Sequence, residues 1–365
     1  MTHQADPNSR VKAYTIHIPE LWNEIVCELP YAHVLQTWEW GEFKRETTGW
    51  HPQRVAFKRD GEIVAAASIG VRRVGPFPMM YVPKGPTMAY EDGEVCGFVL
   101  DWLQQLARDH RAVWLKIEPD IAAATGIPGE ADDTPNPAGQ ALIGTLQQRG
   151  WRFSGDQVQF RNSIKIDFTQ SEDALLAAMS QNTRRKVRVA EREGVTVRAA
   201  TADDLPTLYA LYQETGARDE FLVRPAWYYE QAWQRFMEAE LAHALIAEFE
   251  GKPLAHVILF HFAETCWYFY GASSNEERQR MPNYLLQWEA IKWAKARGYK
   301  TYDFWGAPNV FDENDPLWGV FAFKRGFRGT VVRHVGAWDY APFPPLYRLY
   351  TQVAPRVRRW LRHRL

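Results

Sequence analysis

The chain has 365 residues, a formal net charge of −1, 46% hydrophobic and 24% charged residues, and three cysteines. That length predicts two globular domains, each able to bury its own core, and the near-zero charge excludes attraction of a polyanion by the field of the whole molecule, leaving that task to local basic clusters. Cys27, Cys96 and Cys266 are too scattered for a disulfide framework or a zinc site, MTHQADPNSR holds no apolar targeting core, and no later apolar run reaches the ~18 residues of a membrane span, so the expectation is a soluble cytoplasmic protein.

In chain order, VAFKRDGEIVAAASIG (55–70) reads as strand, Asp-Gly turn, strand. MMYVPKGP (79–86) then gives a strand and loop, and FVLDWLQQLARDHRAVWLKIEP (98–119) an amphipathic helix and a further strand. PDIAAATGIPGEADDTPNPAG (119–139) is rich in Pro, Gly and Asp and predicts a long mobile loop within the first domain. The stretch 161–197 predicts a strand, a helix opened by Ser, Glu and Asp, and a basic helix closed at Gly194. IAEFEGKPLAHVILF (246–260) repeats the hairpin pattern, and WYFYGASS (267–274) followed by YLLQWEAIKWAKARGYKTYDFWG (284–306) repeats strand, loop, helix, strand. In that last helix Leu286, Ala290, Trp293 and Ala294 form one apolar stripe, with Gly298 in the place of a C-terminal cap.

The whole pattern thus recurs once at an offset of roughly 185 to 190 residues, which suits two copies of one domain better than a solenoid. Each copy joins an antiparallel meander to a strand-helix-strand crossover, a mixed α/β unit of the GNAT acyltransferase type. An enzyme of that type that takes acetyl-CoA holds the pyrophosphate on backbone N–H groups where glycine lets the chain approach closely. Neither copy keeps such a turn. The first has TMAYEDGEVCGF (87–98); the second has Arg278, Arg280, Met281, Pro282, Asn283 and Tyr284. A coenzyme A donor is therefore disfavoured, and no cofactor is expected. There is no HExxH, G-x-S-x-G or Cys/His cluster, so no metal site is expected either.

QTWEWGEFK (36–44), YVPKGP (81–86), NTRRKVRVAEREGV (182–195), WYFYGASS, YLLQWEAIKWAKARGYKTYDFWG and FAFKRGFRG (321–329) occur in this order, and together they closely resemble the Fem family of peptidyltransferases. The resemblance implies tandem GNAT-like domains, here 1–162 joined by 338–365, and 163–337. It also implies transfer of an amino acid from aminoacyl-tRNA to the side-chain amine of a UDP-linked or lipid-linked muramyl pentapeptide. Between Gly194 and Leu254 no heptads are sustained, so the chain is similar to the FemX type, which lacks a coiled-coil arm. A monomer is expected. A second class of enzyme stays open: an N-acyltransferase acting on an amino sugar or exopolysaccharide with a thioester donor. So does a non-catalytic precursor-binding module.

Lys44 could be an ordinary solvated lysine; by resemblance it contacts the precursor diphosphate. Arg224 and Tyr228, four apart, are expected on one helix face, where cation and phenol could clamp phosphate oxygens and a neighbouring group. Tyr268 and Tyr270 alternate on a strand and are expected on one face, which the resemblance places in the substrate cleft. Glu118 and Asp303 stand at equivalent strand ends and are candidates to take the amine proton, as is a ribose hydroxyl of the tRNA. Lys324, between Phe323 and Arg325, is the candidate to stabilise the oxyanion. Arg184, Arg185, Lys186, Arg188 and Arg192 make a basic helix, and PRVRRWLRHRL ends the chain with five arginines; each reads either as a solvated face or as a contact for phosphate, of the tRNA acceptor end or of an anionic membrane surface that the basic C-terminus would touch peripherally.

Overall fold

The computed structural model describes residues 10–353. Two compact units divide the chain: Met1–Ala124, Pro135–Arg161 and His334–Leu365 form one, Thr125–Thr134 and Asn162–Arg333 the other. Residues 354–365, with the terminal arginine run and part of the expected returning segment, lie outside the described residues.

In the first unit Val11–Thr15, His51–Arg59, Glu62–Val74 and Phe77–Val82 pair in that order, each antiparallel to the next. Asp60 and Gly61 take φ of 52° and 95°, the pair of positive angles whose twist suits a two-residue hairpin turn. The helix Gly93–Asp109 starts where the Asp92 side chain accepts from Val95 N. It crosses over so that Leu115–Ile117 returns parallel to Phe77–Val82. Val99, Leu103 and Leu106 of the helix and Phe57, Ile69, Met80 and Val82 of the strands share one buried cluster. Their spacings, three to four on the helix and two along each strand, are those that turn one face of each element inward. Trp338–Tyr340 then extends this sheet, antiparallel to Leu115–Ile117 on one side and to the edge strand Arg152–Phe153 on the other.

The stretch 119–139 is not a structureless loop. It contains the short strands Ala122–Thr125 and Thr134–Pro135, and the helix Pro137–Gln148 begins where the Asn136 side chain accepts from Ala138 N and Gly139 N. Composition signalled breaks in regular structure there, while the hydrogen bonds that order the stretch come from the tertiary fold.

The second unit repeats the plan. Thr196–Ala199, Ala242–Phe249, Lys252–Phe262 and Thr265–Ser273 form the antiparallel meander, with Glu250 and Gly251 at φ 49° and 75° in the equivalent turn. The helix Pro282–Ala296 returns the chain to Thr301–Asp303, parallel to Thr265–Ser273. Asn162–Asp167 lies antiparallel to Thr301–Asp303 and to Thr330–His334. Leu286, Ala290 and Ala294 enter the core, whereas Trp293 is half-buried and stacks on His243 at 4.1 Å. The helices Leu205–Arg218 and Ala226–Glu238, 14 and 13 residues long, occupy the region where a coiled-coil arm would insert. At ~20 Å each they are ordinary globular helices.

Candidate active site

Lys324 lies in the helix Trp318–Arg325 and is only 5% exposed. Its neighbours Phe321 and Phe323 pack into the second unit's core, and this draws the lysine inward with them. Nζ donates to the carbonyls of Trp305 and Gly306, both at 2.7 Å, and lies 5.6 Å from the centroid of the Tyr268 ring. Two of its three donors thus hold the turn that follows Thr301–Asp303, and among the described residues nothing takes the third. Burial pulls the Lys324 pKa down to about 7, against the opposing charge of Asp303. Near neutral pH the group therefore exchanges between ammonium and amine.

Asp303, 2% exposed, accepts from Trp305 N at 2.8 Å and from the Ser163 hydroxyl, with Lys165 Nζ at 3.4 Å. Tyr302 and Phe304 on either side of it belong to the core cluster, so Asp303 points to the opposite face.

The two strand tyrosines do not share a face. Ile258 pairs with Tyr270 and Leu259 with Tyr268, which leaves Phe269 as an extra residue in Thr265–Ser273. Such a bulge flips the alternation by one. Tyr268 accordingly packs with the core that includes Leu259 and Phe304, and burial raises its pKa to about 12. Tyr270 meets Tyr212, Tyr229 and Trp233 on the other side of the sheet.

Arg224 also departs from expectation, because the helix Ala226–Glu238 begins after it, with Pro225 as N-cap. The residue still reaches Tyr228: its guanidinium carbon sits 4.8 Å from that ring. A residue before proline is disfavoured in a helix, and from that position outside the helix the cation lies over the phenol. Burial raises the Tyr228 pKa, opposed by Arg224.

In the first unit Glu118, 3% exposed, follows Leu115–Ile117 directly. It accepts from Val158 N at 2.8 Å, from Gln159 N at 3.1 Å and from the Tyr81 hydroxyl. Burial nevertheless raises its pKa, outweighing these donors and Lys84. Around it stand residues that the sequence reading did not single out. Lys84 pairs with Asp120 at 3.1 Å, and His334 Nε2 is 3.5 Å from the same carboxylate. Lys116 meets Asp339 at 3.0 Å, both buried. The available signal was a charge alternating with core residues, as in Leu115, Lys116, Ile117.

Lys44 lies in the helix Trp38–Thr48, which runs a further turn beyond it to Gly49. Nζ is 4.5 Å from the Trp40 ring and 5.1 Å from Phe43. Arg54, 5% exposed, stacks on Trp38 at 3.5 Å and pairs with Glu42 at 2.9 Å, pinning the helix to the sheet. A Cβ on Gly41 would lie 2.7 Å from that guanidinium, which accounts for the glycine in WEWGEFK.

The frame that lacks a glycine cradle is closed by its own contacts. Glu277 and Met281 take φ of 51° and 57°, and the N–H groups of Arg280, Met281 and Tyr284 all bond within the turn. Arg280 reaches Glu277 at 2.8 Å and the Glu193 carbonyl at 2.8 Å, with Phe249 beneath it at 3.5 Å. Three N–H groups are thus taken up within the turn, and no glycine in it lets a pyrophosphate approach the backbone closely. Calorimetry with acetyl-CoA is expected to show no binding; micromolar affinity would overturn this account of the turn and favour a thioester donor.

Arg184, Arg185, Lys186 and Arg188 lie on the helix Gln181–Arg192, whose N-cap Ser180 accepts from Thr183 N. Lys186 turns inward to the Tyr284 hydroxyl at 2.9 Å. Arg185, Arg188 and Arg192 are exposed and Arg184 is half-buried, along a groove they line with Gln181 and Val189.

The sequence profile of the FemAB family matches residues 22–250 and 239–354. The Lipid II:glycine glycyltransferases of Staphylococcus aureus strains MRSA252 and USA300 are each 28% identical to the chain over a 403-residue alignment that covers 90% of this chain and 92% of theirs. The crystal structure of FemX superposes with a TM-score of 0.81 at 25% identity, covering 92% of this chain and 99% of that one. A tandem GNAT protein from the clavulanic acid biosynthesis pathway shares the fold at a TM-score of 0.53 and 11% identity, over 91% of this chain and 98% of its own.

Proposed function

The chain belongs to the FemAB family, and from that membership we propose that it transfers an amino acid from aminoacyl-tRNA to the side-chain amine of a peptidoglycan precursor. The observation that carries this reading is the alignment, over nearly the full length of both chains, with the Lipid II:glycine glycyltransferases. Their name makes lipid II and glycine the acceptor and amino acid to test first. A donor of this kind supports a cytoplasmic location. Among the described residues no helix is long and apolar enough to cross a membrane.

The aminoacyl ester is already activated, so the reaction needs no protein nucleophile. The acceptor amine attacks the ester carbonyl, its oxygen gains negative charge, and the bond to the ribose oxygen breaks as the amide forms. Lys324 is the proposed oxyanion partner, since its third donor is uncommitted and its site is dry. The proton leaves the attacking amine for a carboxylate or for the departing ribose oxygen. Glu118, whose burial favours the protonated form, is one proposed proton acceptor. Asp303 is proposed to hold the 303–306 turn and, with it, Lys324.

In the second unit Arg224, Tyr228 and Tyr270 are proposed contacts for the precursor, while Tyr268, on the opposite face of the sheet, is proposed to act only beside Lys324; in the first unit Lys44 is proposed as a separate phosphate contact. Lys44→Ala and Arg224→Ala are each expected to weaken precursor binding by about 1.5–3 kcal/mol, with turnover at saturation changing less. Titration calorimetry with a UDP-linked muramyl pentapeptide reads this directly, and normal affinity in either variant removes that residue from the site. The reaction itself is tested by incubating the protein with a mixture of charged tRNAs and the nucleotide-linked and lipid-linked precursors. Product mass then identifies donor and acceptor together. Binding without transfer from any tRNA would leave only a precursor-binding module.

A further inference from the structure

The helix Gln181–Arg192 carries more charge than its own unit uses. Val187 and Ala190 enter the core, and the N-cap backbone N–H of Ser180 donates to Gly326 O at 2.9 Å, two residues beyond Lys324. A Cβ at Gly326 would come 2.2 Å from Thr183 Oγ1, so this helix and the Lys324 helix touch at a glycine. Outside, Arg184 donates to the carbonyls of Ala177 and Met179, and Arg185 to Asn182 at 3.2 Å. Among the described residues neither of them, nor Arg188, has a carboxylate within salt-bridge distance. Arg198, by contrast, is held by Asp204 and Glu248, both at 2.8 Å. Arg192 continues the row, with Glu193 at 3.3 Å.

Arg184, Arg188 and Arg192 are four residues apart, which sets their Cα atoms about 6 Å from one another along the axis. That is close to the separation of neighbouring phosphates on an extended nucleic-acid strand. The groove they line measures about 430 Å³. A helix that lies on a bilayer needs an apolar face to bury. Here the apolar positions Val187 and Ala190 are already in the core, and the single apolar side chain lining the groove, Val189, is half-buried and too small an apolar face for that.

We infer that this arginine row is a phosphate-tracking strip for single-stranded RNA, and that it leads the 3′ end of the aminoacyl-tRNA toward Lys324. The identity of the RNA as the amino-acid donor rests on the reading given under Proposed function. Lys186 and Tyr284 continue inward from the strip, since Tyr284 packs on Phe323 at 5.0 Å, next to Lys324. The strip reads no bases. Its contribution is charge, and it is therefore sensitive to salt.

The test uses the full chain and an uncharged acceptor-arm hairpin RNA with a single-stranded 3′ end. The double variant Arg188→Gln, Arg192→Gln changes two exposed side chains of the row, and its thermal midpoint and affinity for the UDP-linked pentapeptide report whether the fold survives. The wild type is expected to bind with a steep salt dependence. The variant is expected to bind at least about tenfold more weakly, and its slope of log affinity against log salt should fall by roughly 1.4, two phosphates at ~0.7 each. Unchanged RNA affinity in the variant, while the wild type transfers from charged tRNA, would overturn the strip and leave the function standing. A wild type that neither binds the hairpin nor transfers would overturn both. Binding of phosphatidylglycerol vesicles in place of the hairpin, lost in the variant, would assign the row to a membrane and also overturn the proposal.

Discussion

Lys324→Met is expected to yield a folded protein that binds the muramyl pentapeptide normally and transfers amino acid at least about a hundredfold more slowly, the usual cost of removing one group aimed at an oxyanion. The interaction is proposed to exist only once the ester oxygen carries charge, so its loss should appear in kcat and leave ground-state binding nearly intact. Methionine keeps much of the apolar stem between Tyr268 and the 305–306 turn. Two effects on stability oppose each other: the Trp305 and Gly306 carbonyls lose their donor, and a buried cation that pays for desolvation is removed. The thermal midpoint should move little. The pH dependence sharpens the test. With a Lys324 pKa of about 7, the wild type holds its cation below that pH and loses it as pH rises. The gap in kcat between wild type and Lys324→Met should therefore be widest below pH 7 and narrow above it. A gap independent of pH, or a near-normal kcat in the variant, would remove Lys324 from the chemistry. A collapsed thermal transition would make its role structural.

Phe260→Ala should destabilise the second unit by about 3–5 kcal/mol, which corresponds to a drop of roughly 6–20 °C in the midpoint of a unit this size. Phe260 is fully buried and stacks between Phe236 at 4.5 Å and Phe269 at 4.8 Å, with Tyr270 edge-on at 5.9 Å. Truncation opens a cavity within a set of rings that cannot all collapse into it, because several are fixed by the sheet and by the helix Ala226–Glu238. Phe260→Leu keeps most of the volume and should cost distinctly less. Calorimetric melting of the two variants separates the cases. Equal small shifts would mean that the aromatic layer is loosely packed, and the placement of Tyr270 against it would lose its support.

Local chemistry determined much of this protein from the sequence alone. Asp60-Gly61 and Glu250-Gly251 each place two residues in the left-handed region, and few short segments other than a hairpin turn accept that. The stripe Leu286, Ala290, Ala294 marks a helix whose one face must be buried, and the repeated order of such elements exposes a duplicated α/β unit. The arginine density of 184–192 is visible without any coordinates. Tertiary structure decided what depends on partners distant in the chain. A single extra residue at Phe269 separates Tyr268 from Tyr270, and no period-2 pattern announces a bulge whose cause is the register with Lys252–Phe262. Lys324 is legible as a lysine among aromatics, but its dry site and its two carbonyl partners arise from a turn eighteen and nineteen residues earlier. Trp338–Tyr340 extends the first sheet beside Leu115–Ile117 because an open strand edge satisfies its N–H and C=O groups with whichever strand the fold brings there, at any distance along the chain.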